Sequence, residues 1–157
     1  LDPEQIPVTL AADENGRVAD RPVTIDGKEY NITCVSMGNP HAVVFMNGNI
    51  DELDIDTVGK AFEYNEIFPE RVNAEFIKVL DEHTLKMRVW ERGSGETWAC
   101  GTGACAAAVA AVLNGYCTKD KEITVKLKGG DLKIKVTDEA IYLTGDAVTV
   151  FNGSIII

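Results

Sequence analysis

Positive charge is scarce in this 157-residue sequence: Lys and Arg total 15 against 25 Asp and Glu, for a net charge of −10. A surface of that sign repels polyanions, which argues against nucleic acid or an anionic membrane as a partner. Also missing is any apolar run long enough to span a bilayer. No charged, then apolar, then small-residue leader opens the chain, so a cytoplasmic location is expected. There is no glycine-rich nucleotide loop. The only two histidines, His41 and His83, stand far apart in the sequence. Cys100 and Cys105 are not at the close spacing of zinc ligands, so no metal site is expected. No lysine stands out as a Schiff-base carrier, and neither an internal repeat nor a low-complexity segment occurs. The sequence opens at Leu1 rather than Met, which suggests a processed or partial chain.

An apolar content of 45% with 25% charged residues is that of a water-soluble globular domain, and the length suits a single domain with a real core. The four cysteines, Cys34, Cys100, Cys105 and Cys117, are expected to be reduced, since the chain is not small and carries no secretion signal. Residues 1–7 read as a linker. Hairpin-type turns are marked at Asp13-Glu14-Asn15-Gly16 and Asp26-Gly27. Strands are expected over 22–25, 28–36, 42–46, 72–80, 84–92, 122–128, 132–137, 140–144 and 147–152, about ten in all with the less regular segments. The last four form an antiparallel meander. A surface helix over 56–65 takes Asp54 or Asp56 as its cap.

The stretch 91–114 organises the rest. A glycine-broken approach, Glu91-Arg92-Gly93-Ser94-Gly95-Glu96-Thr97, delivers Cys100 into Gly101-Thr102-Gly103. An Ala-rich run from Ala104 to Leu113 then reads as a helix stopped by Asn114-Gly115. It has no polar face, so it is expected to be buried all round. The fold class that follows is α+β: a mostly antiparallel curved sheet or open barrel wrapped around a central apolar helix. Unpaired N–H groups and partial positive charge at the helix start lower the expected pKa of Cys100 and offer a seat for a carboxylate. Gly101 and Gly103 let a ligand approach the backbone.

Around this centre stand further candidates. Gly38-Asn39-Pro40-His41 is a polar break beside an apolar strand, serving either as a plain turn or to bring an amide and an imidazole to the site. Glu91 and Arg92 end a strand, either as solvated charges or as holders of an ammonium and a carboxylate. Asn73 starts a strand. Cys34 and Cys105 are expected to be packing residues, and no role is assigned to Cys117. Together these parts suit a ligand with both carboxylate and ammonium groups, an amino acid.

The segments MGNPHAVVF, RVNAEF, ERGSGET and ACGTGACAAAVAA, taken in order across nearly the whole chain, resemble the C-terminal half of diaminopimelate epimerase. The family's relatives include proline racemase and the phenazine-biosynthesis isomerases. The resemblance implies cofactor-independent inversion of LL-diaminopimelate to the meso form, in lysine and peptidoglycan biosynthesis, by two cysteines on opposite faces of the α-carbon. It implies that Cys100 is one of them. Gly101 and Thr102 would bind the reacting carboxylate, and Asn39, Asn73, Glu91 and Arg92 would contact substrate. His41 and Glu91 would tune the thiols. The family's other catalytic cysteine lies in an N-terminal domain absent from this sequence, so the isolated chain is expected to be largely inactive. That missing domain is an expected partner, with self-association into a homodimer as another cover for the exposed face. A proline racemase-like isomerase and a non-catalytic amino-acid-binding module are the competing readings.

Overall fold

The computed structural model describes residues 6–156, so residues 1–5 of the linker-like segment lie outside the described residues. Ile6, at the other end of that segment, is 2% exposed and packed in the core. Strands β1 (Arg21–Ile25) and β2 (Lys28–Ser36) form a hairpin. Its two turn residues, Asp26 at φ 48° and Gly27 at φ 73°, take the left-handed backbone that a two-residue hairpin turn requires. Strand β3 (Pro40–Phe45) pairs antiparallel with β2. It starts two residues before the expected 42–46, because a proline can open a strand without breaking its ladder.

A 3₁₀ turn (Ile50–Glu52) and α1 (Ile55–Glu63) then carry the chain over, so that β4 (Asn73–Asp81) lies parallel to β3. Asp54 caps α1 by accepting from the Thr57 N–H. Strand β5 (Thr84–Glu91) returns antiparallel to β4, and the short β6 (Gly95–Glu96) folds back on its end. Helix α2 (Gly101–Leu113) follows. Strand β7 (Glu122–Leu127) comes back parallel to β5, and β8 (Gly130–Val136) and β9 (Ile141–Thr144) complete an antiparallel meander. The sheet runs β1-β2-β3-β4-β5-β7-β8-β9, with β6 beside β5, and does not close. It bends around α2, which packs against β2, β3, β4, β5, β7, β8 and β9.

Strand alternation splits the interior into two cores. Val35, Val43, Ile77, Leu85, Met87 and Val89 face α2. Ile32, Cys34, Ala42, Val44, Ala74 and Phe76 face the other way, toward Phe62 of α1. The Phe62 and Phe76 rings meet edge to face at 5.5 Å. The central strands β3 and β4 are therefore buried on both faces and read as continuous apolar runs. Alanines 104, 106, 107, 108, 110 and 111 of α2 are all 0% exposed, and their small side chains let seven strands close around one helix.

Two expectations need correction. Among the described residues the sheet has nine strands, and residues 147–152 form none of them. Their alternating side chains suit one, but a strand needs a ladder partner for its backbone. None reaches this segment among the described residues, where Val148, Val150 and Phe151 stand exposed. Helix α2 begins at Gly101, three residues before Ala104, because glycines in a first turn forfeit little and Cys100 supplies a side-chain cap. Among the described residues no helix is long and apolar enough to cross a membrane.

Gly59 fixes how closely α1 approaches the sheet. A Cβ there would lie 2.5 Å from the Cβ of Trp90, whose indole N–H is held by Glu63 at 2.8 Å. Helix propensity alone would reward Gly59→Ala by ~1 kcal/mol. Overpacking against a pinned indole costs ~1–3 kcal/mol and exceeds it. The G59A protein is expected to unfold at lower urea concentration, with a net loss of up to about 2 kcal/mol in equilibrium denaturation.

Candidate active site

The pairing registers bring the candidate residues together. His41 lies opposite Asn73 across the parallel β3–β4 ladder, and Ala74 lies opposite Trp90 across β4–β5. The starts of β3 and β4 and the end of β5 therefore share one edge of the sheet. His41 and Glu75 are two residues before Val43 and Ile77, so alternation turns them to the α2 side. Helix α2 delivers its N-terminus to the same edge. Cys100, at φ −138°, is its N-cap, and the sulfur accepts from the Gly103 N–H at 3.3 Å. The thiol is nearly enclosed, at 8% exposure, whereas Gly101 and Thr102 are open. Gly103 is required sterically: a Cβ there would lie 2.9 Å from Glu75 Oε1 and 3.2 Å from Cys100 Sγ.

A line of polar side chains leads to the thiol. Glu75 Oε1 is 2.6 Å from His41 Nδ1, and His41 Nε2 is 3.0 Å from Asn39 Oδ1. Asn39 Nδ2 donates to Thr102 Oγ1 at 3.4 Å, and Thr102 Oγ1 lies 3.5 Å from Cys100 Sγ. Asn73 holds backbone: its Nδ2 donates to the Pro40 carbonyl at 2.8 Å, and its Oδ1 accepts from the Arg92 N–H at 2.9 Å. The exposed Arg92 guanidinium donates to the Glu70 carbonyl at 2.9 Å, and Glu91 accepts from the Thr97 hydroxyl. Asn39, His41, Asn73, Glu91, Arg92, Cys100, Gly101 and Thr102 are thus gathered around the start of α2. Among the described residues no group of three or more His, Cys, Asp or Glu is placed to hold a metal ion.

The sequence profile described as "Diaminopimelate epimerase" matches residues 33–150. The chain belongs to the diaminopimelate epimerase family. Curated diaminopimelate epimerases are similar over almost all of it: 55% identity to that of Desulfovibrio desulfuricans over 98% of the chain, and 52% to that of Acetivibrio thermocellus over 99%. The Methanococcus maripaludis enzyme is 50% identical over 99%. In each case the chain spans 54% of the relative's length. Among solved structures, a probable proline racemase from Agrobacterium radiobacter K84 matches with a TM-score of 0.56 at 13% identity, covering 76% of this chain and 41% of that one. A phenazine-biosynthesis protein of the PhzF family from Enterococcus faecalis matches with a TM-score of 0.53 at 19% identity, covering 73% of this chain and 42% of that one. At such identities the two structures show a shared fold.

The electrostatics of this epimerase-family site correct one expectation. The Cys100 thiol is raised above its ordinary pKa, not lowered. Burial is the largest cause. The Thr102 hydroxyl and the Gly103 N–H pull the other way, and the Glu91 carboxylate adds to the rise. The helix start does favour thiolate, but desolvation and the Glu91 carboxylate outweigh it. Burial also lowers His41 to about 4, against an opposing pull from Glu91 and a further push from Arg92. Burial, with Glu91, raises Glu75 well above the ordinary carboxylate range.

Glu75 and Glu63 were not among the candidates. Glu75 is 0% exposed in the middle of an apolar run, and its place in the alternation Asn73, Glu75, Ile77 is the signal that could have singled it out. Glu63, 2% exposed, accepts from the Trp90 indole and, at 2.9 Å, from the Gly93 N–H, bracing the glycine loop. It lies on a helix, 30 residues from Gly93, and no local pattern marks it. The other three cysteines are also free. Cys34 faces the α1 core, across the sheet from α2. Cys105 is on α2 itself, turned by about 140° from Cys100, and Cys117 follows the far end of the helix, on the order of 20 Å away.

The lowered His41 pKa has a definite sign. Between pH 6.5 and about 4 the unfolded chain protonates this imidazole and the folded chain does not, so His41 makes folding stability fall as pH falls through that window. Glu75, raised when folded, has the opposite sign, and its contribution is lost as pH rises above its ordinary 4.5. Replacing His41 with Gln is therefore expected to remove about one proton from the uptake on unfolding between these pH values. Urea midpoints measured along the pH series report it.

Proposed function

We propose that this chain is the half of a diaminopimelate epimerase that carries one of two opposed acid/base thiols, Cys100, and the seat for the reacting carboxylate. The observation that carries this reading is the placement of Cys100. It caps a buried helix whose open first turn, Gly101 and Thr102, offers N–H groups beside the sulfur.

The chemistry follows from the difficulty of the reaction. The α-proton of an amino acid is very weakly acidic, and the carbanion left by its removal spreads charge onto the carboxylate. Preorganised N–H donors at the start of α2 stabilise that charge without reorganisation. One thiol removes the proton as thiolate while the other delivers a proton to the opposite face. Cys100, its pKa raised by burial and by Glu91, suits the thiol that donates. The reaction breaks one C–H bond, forms one on the other face, and leaves the two sulfurs with exchanged protonation states. It needs no cofactor. Asn39 and the Glu91–Arg92 loop border the same opening and are the proposed contacts for the rest of the substrate. Asn73, its amide engaged by backbone, acts by holding Pro40 and Arg92 in place.

The opposing thiol comes from the remainder of the enzyme. Trp98 at 75% exposure and Leu143 at 45% stand near the start of α2, and the other half is the proposed cover for them. In the intact two-domain enzyme, Cys100→Ala is expected to lower diaminopimelate turnover by at least about 10³-fold, the scale of a general acid–base group. Exchange of the α-proton with deuterated solvent should fall with it. Normal epimerisation by the C100A enzyme would overturn the assignment. The 157-residue chain alone is expected to epimerise at no more than about a thousandth of the intact rate. Alone, substrate binding with an unreactive Cys100 thiol would favour an amino-acid-binding module instead.

A further inference from the structure

We propose that Glu75 is a positioning residue that sets the direction of the hydrogen bonds running from His41 through Asn39 and Thr102 to Cys100, so that the Thr102 hydroxyl donates to the Cys100 sulfur. The inference rests on the reading of Cys100 as the reacting thiol and adds a member to its surroundings.

Glu75 lies under the first turn of α2. It is 0% exposed, and it approaches so closely only because Gly103 has no Cβ. Its Oε1 meets His41 Nδ1 at 2.6 Å, while its Oε2 is buried without a hydrogen-bond partner. An ionised carboxylate with one oxygen unpartnered in a dry interior is strongly disfavoured; a carboxyl group sharing a proton with an imidazole is not. The pair therefore holds one proton between Oε1 and Nδ1. Whether that proton rests on the carboxyl or on the ring, the pair is uncharged overall and Nδ1 is committed to Glu75.

The remaining imidazole hydrogen must then sit on Nε2, and it donates to Asn39 Oδ1 at 3.0 Å. With its oxygen taken, the Asn39 amide presents Nδ2, which donates to Thr102 Oγ1 at 3.4 Å. With that oxygen accepting, the Thr102 hydroxyl is free to aim its own hydrogen at Cys100 Sγ, 3.5 Å away. Each link fixes the next, because an imidazole with one committed nitrogen and an amide with one committed end have a single arrangement left. Reversing the line at Glu75 would turn the Thr102 hydroxyl from a donor to the sulfur into a donor to Asn39. The charged or titratable groups nearest this line are Glu91 and Arg92 from the end of β5, with Cys34 of β2 on the opposite face of the sheet. None of them lies between its members.

A role in hydrogen-bond direction and a role as a buried negative charge predict opposite signs. If Glu75 sets direction, Glu75→Leu withdraws the Thr102 donor from the thiolate. Cys100 alkylation by iodoacetamide at pH 8, followed by peptide mass mapping to separate it from Cys105, slows by about tenfold, the scale of a hydrogen bond to a charged group. Glu75→Gln, whose amide N–H donates to Nδ1, restores the rate to within about twofold. If Glu75 acts as a charge, its removal in either variant speeds alkylation, and that result, or an unchanged rate in a folded E75L protein, overturns the proposal. Nitrogen-15 NMR of the His41 ring in the unsubstituted chain decides independently of folding in the variants. Hydrogen on Nε2 between pH 5 and 8 is expected, and a bare Nε2 overturns the proposal. Neither readout requires turnover, so both stand apart from the epimerase assignment, which fails only if the C100A enzyme remains active.

Discussion

Helix α2 carries apolar or small side chains around its whole circumference, and no arrangement leaves such a helix in water. Enclosing it demands strands on every side, and an open sheet bent around a single helix meets that demand. The alanines make the enclosure possible at close range, since a larger side chain would hold the strands off. The helix start escapes enclosure, with Gly101 and Thr102 open, because its unpaired N–H groups need polar company or solvent. Cys100, Gly101 and Thr102 stand at that polar opening of the α2 core. The place of the site follows from the burial of the helix.

The local environment of Cys100 is a balance of opposed terms. Helix-start N–H groups and the Thr102 hydroxyl favour thiolate, whereas burial and Glu91 favour thiol, and thiol prevails. A helix N-terminus alone would have suggested the reverse. On the proposed two-thiol reading, the outcome suits a pair of sulfurs that differ in protonation, one as base and one as acid. It also suits a site completed by a second unit, since closing the opening would remove more water and strengthen every term in the balance.

Several side chains near the site serve geometry rather than substrate. Asn73 ties the start of β3 to Arg92, and Glu63 ties α1 to the glycine loop through Trp90 and Gly93. These links cross between elements far apart in sequence and hold the glycine-rich approach to Cys100 against a sheet edge. Gly59 and Gly103 allow the same closeness from the other direction, each by the absence of a single carbon.

Much of this was legible in the residues in order. Strand alternation, the Asp26-Gly27 turn, the Ala-rich helix and the Gly-Thr-Gly after Cys100 are local patterns, and local patterns determine element type and the chemistry at a helix start. The motifs also identify the family, which is a matter of residue identity and spacing. What needed tertiary structure was everything that depends on non-local neighbours. Residues 147–152 alternate like a strand, yet lack a ladder partner. Cys100 has the helix start that should acidify it, yet the Cys100 pKa answers to burial and to the Glu91 carboxylate from β5. Glu75 sits in an apolar run where its charge looks out of place, and only the parallel register of β3 and β4 brings it to His41. Propensity and periodicity act over a few residues, whereas desolvation, pairing and hydrogen-bond direction are set by what the fold carries in from elsewhere.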